Sequence, residues 1–245
     1  MKILIVNDDS MSSPVLPHLI RWARTRGEVT VVVPKVEQSG MSQSLEFVKP
    51  VALSKEFIAD DIEVYALDST PADCVRFGVT GLKTTYDLVI SGINKGYNLG
   101  DDIAYSGTVG AILEGSRLGI KGIALSAGHD RFVTAVEELD RIFDYVLEKD
   151  LLSKGDLYNI NIPHEIKGFK ITKQGGEFYT DEFIDCGDGT VLQTGVPVER
   201  EFNDLTVDID AVRNGYVSIT PITACKTDLA VFENIKNRRC CWIKK

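Results

Sequence analysis

Residues 2–34 read KILIVNDDSMSSPVLPHLIRWARTRGEVTVVVP, and this stretch contains the grammar that sets the fold. KILIV (2–6) is short, apolar and β-branched, and it breaks at Asn7-Asp8-Asp9, as a buried strand does on entering a polar loop. Leu16, Leu19, Ile20 and Ala23 then recur at i, i+3, i+4 and i+7, which predicts an amphipathic helix closed by Gly27. EVTVVVP (28–34) is a second strand ended by Pro34. A helix joining two strands makes a crossover, so the strands are expected to be parallel and the connection right-handed.

The same grammar repeats outward from this unit. IEVYALD (62–68), DLVISG (87–92) and GIALSAG (122–128) read as strands, while residues 72–82, 108–118 and 131–148 read as helices. Alternation of this kind predicts an α/β fold: a three-layer, doubly wound, mostly parallel Rossmann-like sheet. Past residue 150 the pattern changes. YNINIP (158–163) and GYVSITP (215–221) read as further strands, and the hydrophilic segments between them, KGFKITKQ, GEFYTDEFI and TVLQTGVPVER, suggest hairpins without helices. A last helix is expected over 227–237, before the basic tail KNRRCCWIKK. The organisation is one α/β domain over 1–245, with a core at 1–150 and a β-rich extension and C-terminal tail at 151–245.

Composition narrows the function. The 245 residues are 44% apolar and 26% charged with 21 glycines, which excludes fibrous and wholly disordered classes. Lys and Arg number 27 against 36 Asp and Glu, a net charge of −9 that disfavours general binding to nucleic acid or to an anionic membrane. The longest apolar runs fall short of the roughly 18 residues a membrane span needs, and the first residues read as a strand rather than a signal peptide. Cys74, Cys186, Cys225, Cys240 and Cys241 form no C-x-x-C pair, so reduced thiols in a cytoplasmic compartment are expected. His18, His129 and His164 lack the short spacing of a structural zinc site.

In an open parallel sheet, ligands bind outside the carboxyl ends of the strands. Those ends carry Asn7-Asp8-Asp9, then Ser39, Asp68, Asn94 and Ser126. Two adjacent carboxylates repel, and a hard divalent cation such as Mg²⁺ or Mn²⁺ relieves that repulsion with oxygen ligands. Asp8, Asp9, Ser39 and Asn94 supply such a set; the alternative is that the acidic pair caps the following helix. Such an ion would activate a water near neutral pH, with Asp8 and Asp9 as catalytic residues and Asp9 as the general base. Residues 91–116, SGINKGYNLGDDIAYSGTVGAILEGS, place a glycine-rich loop before a helix start, where unpaired N–H groups favour an anion. Asn98, Ser106, Gly107 and Thr108 are the expected phosphate-binding residues, a glycine-rich surface loop with Ser106 as helix cap being the alternative. His129 is either an acid at the site or a surface histidine.

These residues resemble a known family. ILIVNDD, VVVPKVEQSGMSQS, STPADCV, SGINKGYNLGDDIAYSGTVGAILEGSRLGI, NINIP and GYVSITP, in this order across nearly the whole chain, are similar to the SurE (survival protein E) nucleotidases. The resemblance implies a metal-dependent phosphatase acting on nucleoside 5′- or 3′-monophosphates and short polyphosphate, with the metal ligands on Asp8, Asp9, Ser39 and Asn94. It also implies a homodimer or homotetramer with exchanged C-terminal segments, whereas the apolar residues from Leu229 to Trp242 alone would be met by docking on the same subunit. Two positions depart from the pattern: the family usually has glycine where Ser10 and Ser69 stand. Two readings compete with hydrolysis. One is a receiver-like signalling module with Asp68 as phosphate acceptor and Ser126 as its partner; the other is a nucleotide-binding protein without catalysis.

Overall fold

Strand β1 (Lys2–Val6) is inaccessible to water from Ile3 to Val6, which is why its sequence has no polar alternation. The computed structural model describes residues 1–59 and 61–236, so Cys240, Cys241 and Trp242 of the basic tail lie outside the described residues. From β1 the chain crosses by helix α1 (Leu16–Arg24) to β2 (Glu28–Pro34), parallel to β1 with Lys2 opposite Glu28. All four predicted apolar positions of α1 are buried. The helix closes on Thr25 in right-handed geometry, before Gly27. Gly27 answers a different constraint: a Cβ there would lie 2.1 Å from the Met1 carbonyl oxygen.

Next come β3 (Leu53–Ile58), β4 (Ile62–Leu67), α2 (Pro71–Arg76) and β5 (Leu88–Lys95). They are followed by α3 (Gly107–Arg117), β6 (Lys121–Ala127), α4 (Leu139–Glu148), α5 (Leu151–Lys154) and β7 (Leu157–Ile162). The last elements are β8 (Gly168–Ile171), β9 (Glu182–Asp185), β10 (Val191–Thr194), α6 (Asp208–Arg213), β11 (Tyr216–Ile222) and α7 (Leu229–Ile235). Nine strands form one sheet in the order β3-β4-β2-β1-β5-β6-β7-β11-β8, antiparallel only at β3–β4 and β7–β11. Helices α1 and α4 cover one face of the sheet through Leu16, Leu19, Leu139 and Phe143. Helices α2 and α3 cover the other through Val75, Val109 and Ile112. The winding reverses between β1 and β5, which puts the topological switch point beside Asn7-Asp8-Asp9.

Several elements differ from the sequence expectation. The helix expected over 131–148 is α-helical only from Leu139; Ala135–Glu138 is a 3-10 turn. The Thr134 hydroxyl bonds the Arg131 carbonyl and offers the backbone an alternative to helix. The helix expected over 72–82 ends as a wide π turn, Phe77–Gly81, carrying two glycines and β-branched Val79 and Thr80. Segment KGFKITKQ forms no hairpin: β8 joins the sheet parallel to β11, and of the segments expected as hairpins it is β9 and β10 that pair. The short α6 lies where no helix was expected, and the edge strand β3 escaped notice.

Helix α3 is tied to its surroundings through Glu114, which is 1% exposed. Its carboxylate accepts from Gln43 Nε2 (2.9 Å), Arg76 Nε (2.7 Å) and Arg117 Nε (3.0 Å), joining the 35–52 loop, α2 and α3. Burial pushes this carboxyl up, and the bonds from Arg117, Gln43 and Arg76 outweigh it, so its pKa falls below the ordinary 4.5. A depressed carboxylate stabilises the fold above its unfolded pKa and loses that contribution as pH falls through the folded value. Glu114→Gln is therefore expected to lower stability by about 1–3 kcal/mol near neutral pH. In urea titrations the gap between variant and wild type should narrow below about pH 4; a gap that is constant with pH would refute the charge-based account.

Candidate functional site

Asp8 is 5% exposed at the end of β1, and its Oδ1 accepts from Thr108 Oγ1 at 2.7 Å. That bond joins the strand end to the first turn of α3. The Asp8 carbonyl accepts from Gln38 N–H at 2.8 Å, which brings the loop after β2 to the same point. Burial raises the Asp8 carboxyl to about 6, the Thr108 hydroxyl works against this, and the neighbouring Asp9 charge adds to it. Burial also raises Asp9; its Oδ2 accepts from Lys95 N–H at 3.1 Å, which lowers it, and Glu37 opposes that.

Asn94 lies one residue before Lys95, whose N–H bonds Asp9, at an irregular end of β5. Against β6, Ser91 pairs with Ala124 and Asn94 with Ser126, so β5 carries one extra residue and bulges. Gly92 makes the bulge possible: at φ +128°, a Cβ there would lie 2.2 Å from the Leu125 carbonyl oxygen. Asn94 Nδ2 donates to the Gly96 carbonyl at 3.0 Å, which leaves its amide oxygen to face elsewhere. Ser39 lies in the same loop as Gln38, is exposed, and donates its hydroxyl to Glu37 Oε1 at 2.7 Å.

The chemistry of this donor set fits a hard cation. Two adjacent carboxylates are raised together by burial, and the hydroxyl bonded to the first of them is that of Thr108. Among the described residues no group of three His, Cys, Asp or Glu side chains is placed to hold a metal. The candidate set Asp8, Asp9, Ser39 and Asn94 offers oxygen donors and no soft ligand.

Helix α3 begins at Gly107 with Ser106 as N-cap; Ser106 Oγ accepts from Val109 N–H at 3.1 Å. Its carbonyl accepts from Gly110 N–H, and the Thr108 N–H, like its hydroxyl, lowers the Asp8 carboxyl. A Cβ on Gly107 would lie 3.2 Å from both Asp8 Cβ and the Gln38 carbonyl oxygen, so a larger residue would crowd the acidic pair. The structure thus brings Ser106, Gly107 and Thr108 to Asp8, with the Thr108 hydroxyl directed at the carboxylate.

Asn98 is held more firmly than the sequence suggested. Its N–H donates to Asn161 Oδ1 (2.8 Å), and its carbonyl accepts from Asn159 Nδ2 (2.8 Å) and Asn161 Nδ2 (2.9 Å). Its own Nδ2 donates to Ser126 Oγ at 2.7 Å. The two β7 asparagines were missed as site residues; the signal was the alternation in Asn159-Ile160-Asn161, two amides on one face of a fully buried strand. His129 is exposed, as a surface histidine is. Asp68 is exposed at the end of β4, with β2 between it and β1.

Residues 3–181 match the family model described as survival protein SurE. The 5′-nucleotidase SurE of Clostridium beijerinckii is 35% identical over 96% of this chain and 98% of its own length. That of Thermoanaerobacter sp. is 39% identical over 91% of this chain and 92% of its own. The crystal structure of the SurE protein from Aquifex aeolicus superposes with a TM-score of 0.80 at 36% identity, covering 96% and 98% of the two chains.

The clamp on Asn98 is open to test. Asn161→Leu leaves the Asn98 N–H without its acceptor and removes one donor from its carbonyl, at a cost of about 1–3 kcal/mol. Amide exchange of Asn98 should quicken at least tenfold, while exchange in β1 and β2 stays slow.

Proposed function

The chain belongs to the survival protein SurE family, and on that premise we propose that it releases phosphate from nucleoside 5′-monophosphates with the help of one divalent cation. The observation that carries this is the 2.7 Å bond from Thr108 to Asp8, which joins the acidic pair to the helix start. A cation held by Asp8, Asp9, Ser39 and Asn94, Mg²⁺ or Mn²⁺ by donor chemistry, would offset phosphoryl charge and make a water acidic enough to attack near neutral pH. In this proposal the Gly107 and Thr108 N–H groups face the phosphate and stabilise charge that grows on its oxygens. Ser106, through its hydroxyl proton, and Asn98, through the loop it anchors, complete the phosphate cradle. Asp9 accepts the proton of the attacking water while Asp8, fixed by Thr108, keeps its orientation. Hydrolysis of 3′-monophosphates and short polyphosphate belongs to the same proposal, since these groups all address the phosphoryl group.

A cytoplasmic setting is supported by the free thiols Cys74, Cys186 and Cys225. Among the described residues no helix is long and apolar enough to cross a membrane. In the test of catalysis, phosphate release from 5′-AMP is followed with Mg²⁺ or Mn²⁺, with EDTA, and in Asp8→Asn and Asp9→Asn. Wild-type turnover that stops with EDTA, and loss of at least a hundredfold in either variant, is expected. Binding of 5′-AMP without turnover in the wild type would instead favour a nucleotide-binding protein.

Assembly is the second part of the proposal. No residue of α7 is buried, and Leu229, Val231, Phe232 and Ile235 are each 48–61% exposed. The β9–β10 hairpin likewise exposes Phe183, Val191 and Leu192. Apolar groups gathered in this way are covered in working proteins, here by a second copy in a homodimer or homotetramer that exchanges its C-terminal segment. Light scattering should give a multiple of 27.0 kDa, falling to the monomer mass on truncation after residue 225. A full-length monomer at micromolar concentration would end the exchange scheme.

A further inference from the structure

We propose that Asp73 is a positioning residue of the phosphatase: from the first turn of α2 it clamps the loop that carries Ser39 in place beside the acidic pair; this rests on the phosphatase reading above. Between Pro34 and Leu53 the chain, described throughout, runs without helix or strand. Loops of this length inside a compact domain are uncommon and usually serve a site. Such a loop is placed only by the bonds it makes to the elements around it.

Those bonds fix two flanks and leave an arch between them. On the first flank Gln38 N–H donates to the Asp8 carbonyl at 2.8 Å. On the second, Ser42 N–H donates to the Tyr105 carbonyl at 2.9 Å, and Gln43 Nε2 to Glu114 Oε2 at 2.9 Å. Ser39, Gly40 and Met41 span the interval, with Gly40 at φ +74° making the turn. Ser39 is therefore held only as firmly as the flank that follows it.

Asp73 secures the far end of that flank. Its Oδ2 accepts from Glu46 N–H at 2.8 Å and from the Ser69 hydroxyl at 2.6 Å, while the Thr70 hydroxyl donates to the Ser44 carbonyl at 2.7 Å. Thr70 is the N-cap of α2 and accepts from Asp73 N–H at 3.2 Å. In a capping box the acidic side chain at this helical position turns back to the N–H of the cap. Here the carboxylate is directed to the loop instead, and Ser69 fixes the oxygen that Glu46 uses. Bonds to an ionised acceptor are about twice as strong as neutral ones, which suits one side chain to holding a long segment. The start of α2 also adjoins the site: a Cβ on Gly107 would lie 3.3 Å from Pro71 Cγ and 3.2 Å from both Asp8 Cβ and the Gln38 carbonyl oxygen. A ligand whose site is formed only part of the time binds more weakly in proportion to that fraction. The clamp keeps Ser39 in place before the cation arrives.

The test uses Asp73→Ala, which removes the acceptor, Asp73→Asn, whose amide oxygen can still take both donors, and Ser69→Ala, which removes one donor and leaves α2 intact. Mn²⁺ alone is titrated calorimetrically into each full-length protein, amide exchange is followed at residues 39–41, and phosphate release from 5′-AMP is measured over a range of Mn²⁺. In Asp73→Ala, Mn²⁺ should bind about tenfold more weakly and exchange at 39–41 should quicken by a similar factor, while kcat at saturating Mn²⁺ stays within about twofold. Ser69→Ala should show the same changes at about threefold, and Asp73→Asn should recover most of the Mn²⁺ affinity. A lower urea midpoint in Asp73→Ala and Ser69→Ala with Mn²⁺ affinity and exchange at 39–41 unchanged would overturn the clamp and leave the phosphatase standing. A wild type that binds Mn²⁺ and releases no phosphate, with that affinity still weakened by Asp73→Ala, would retain the clamp and reject the phosphatase.

Discussion

Two carboxylates that follow one another at the end of a buried strand impose the constraint on which this site is built. Removing a carboxylate from water costs several kcal/mol even after the protein relaxes. One hydrogen bond to a charged group returns about 1.5–3 kcal/mol. Asp8 has the Thr108 hydroxyl and Asp9 the Lys95 N–H, and both carboxyls still stand above their ordinary value. The unmet part is sustained by the largely buried strands β1, β5 and β6, whose apolar residues hold the two aspartates where solvent would otherwise release them.

The loops around that pair are held by close backbone approach rather than by bulky side chains. At Gly110 of α3 a Cβ would lie 2.0 Å from the Ser42 carbonyl oxygen, so the loop bearing Ser39 rests directly on the helix. Ser42 N–H and hydroxyl bond the carbonyls of Tyr105 and Ala104, and Glu114 takes Gln43 from the same loop. On the other side Asp208, fully buried at the start of α6, accepts from Gly100 and Gly175 N–H and joins the glycine loop to the extension. The C-terminal part of the chain thus shapes the site from behind, although its residues are far from it in sequence.

This distribution explains what could be read from the chain and what could not. Strands β1 and β2 and the face of α1 were legible because central parallel strands and amphipathic helices record burial in local order. Asp8, Asp9, Asn94 and the helix start at Ser106 were legible because strand ends and helix starts are where ligands collect. Strand β3 was not, since an edge strand with one half-exposed face carries a weak signal, and neither was the break before Leu139, which depends on a threonine hydroxyl competing locally. The bonds of Asn159 and Asn161 to Asn98, and of Ser39 to Glu37, depend on tertiary approach, which spacing along the chain does not express.

Ser10 occupies the left-handed region, at φ +69°, where a side chain is disfavoured by about 1–2 kcal/mol. Its neighbours offset this: the Ser10 hydroxyl shares a bond with that of Ser12 at 2.8 Å, and Asn7 Nδ2 holds the Ser10 carbonyl at 2.8 Å. The three residues therefore act as one bonded set around a strained backbone position. A substitution at Ser12 or Asn7 would leave the left-handed backbone of Ser10 with less to hold it.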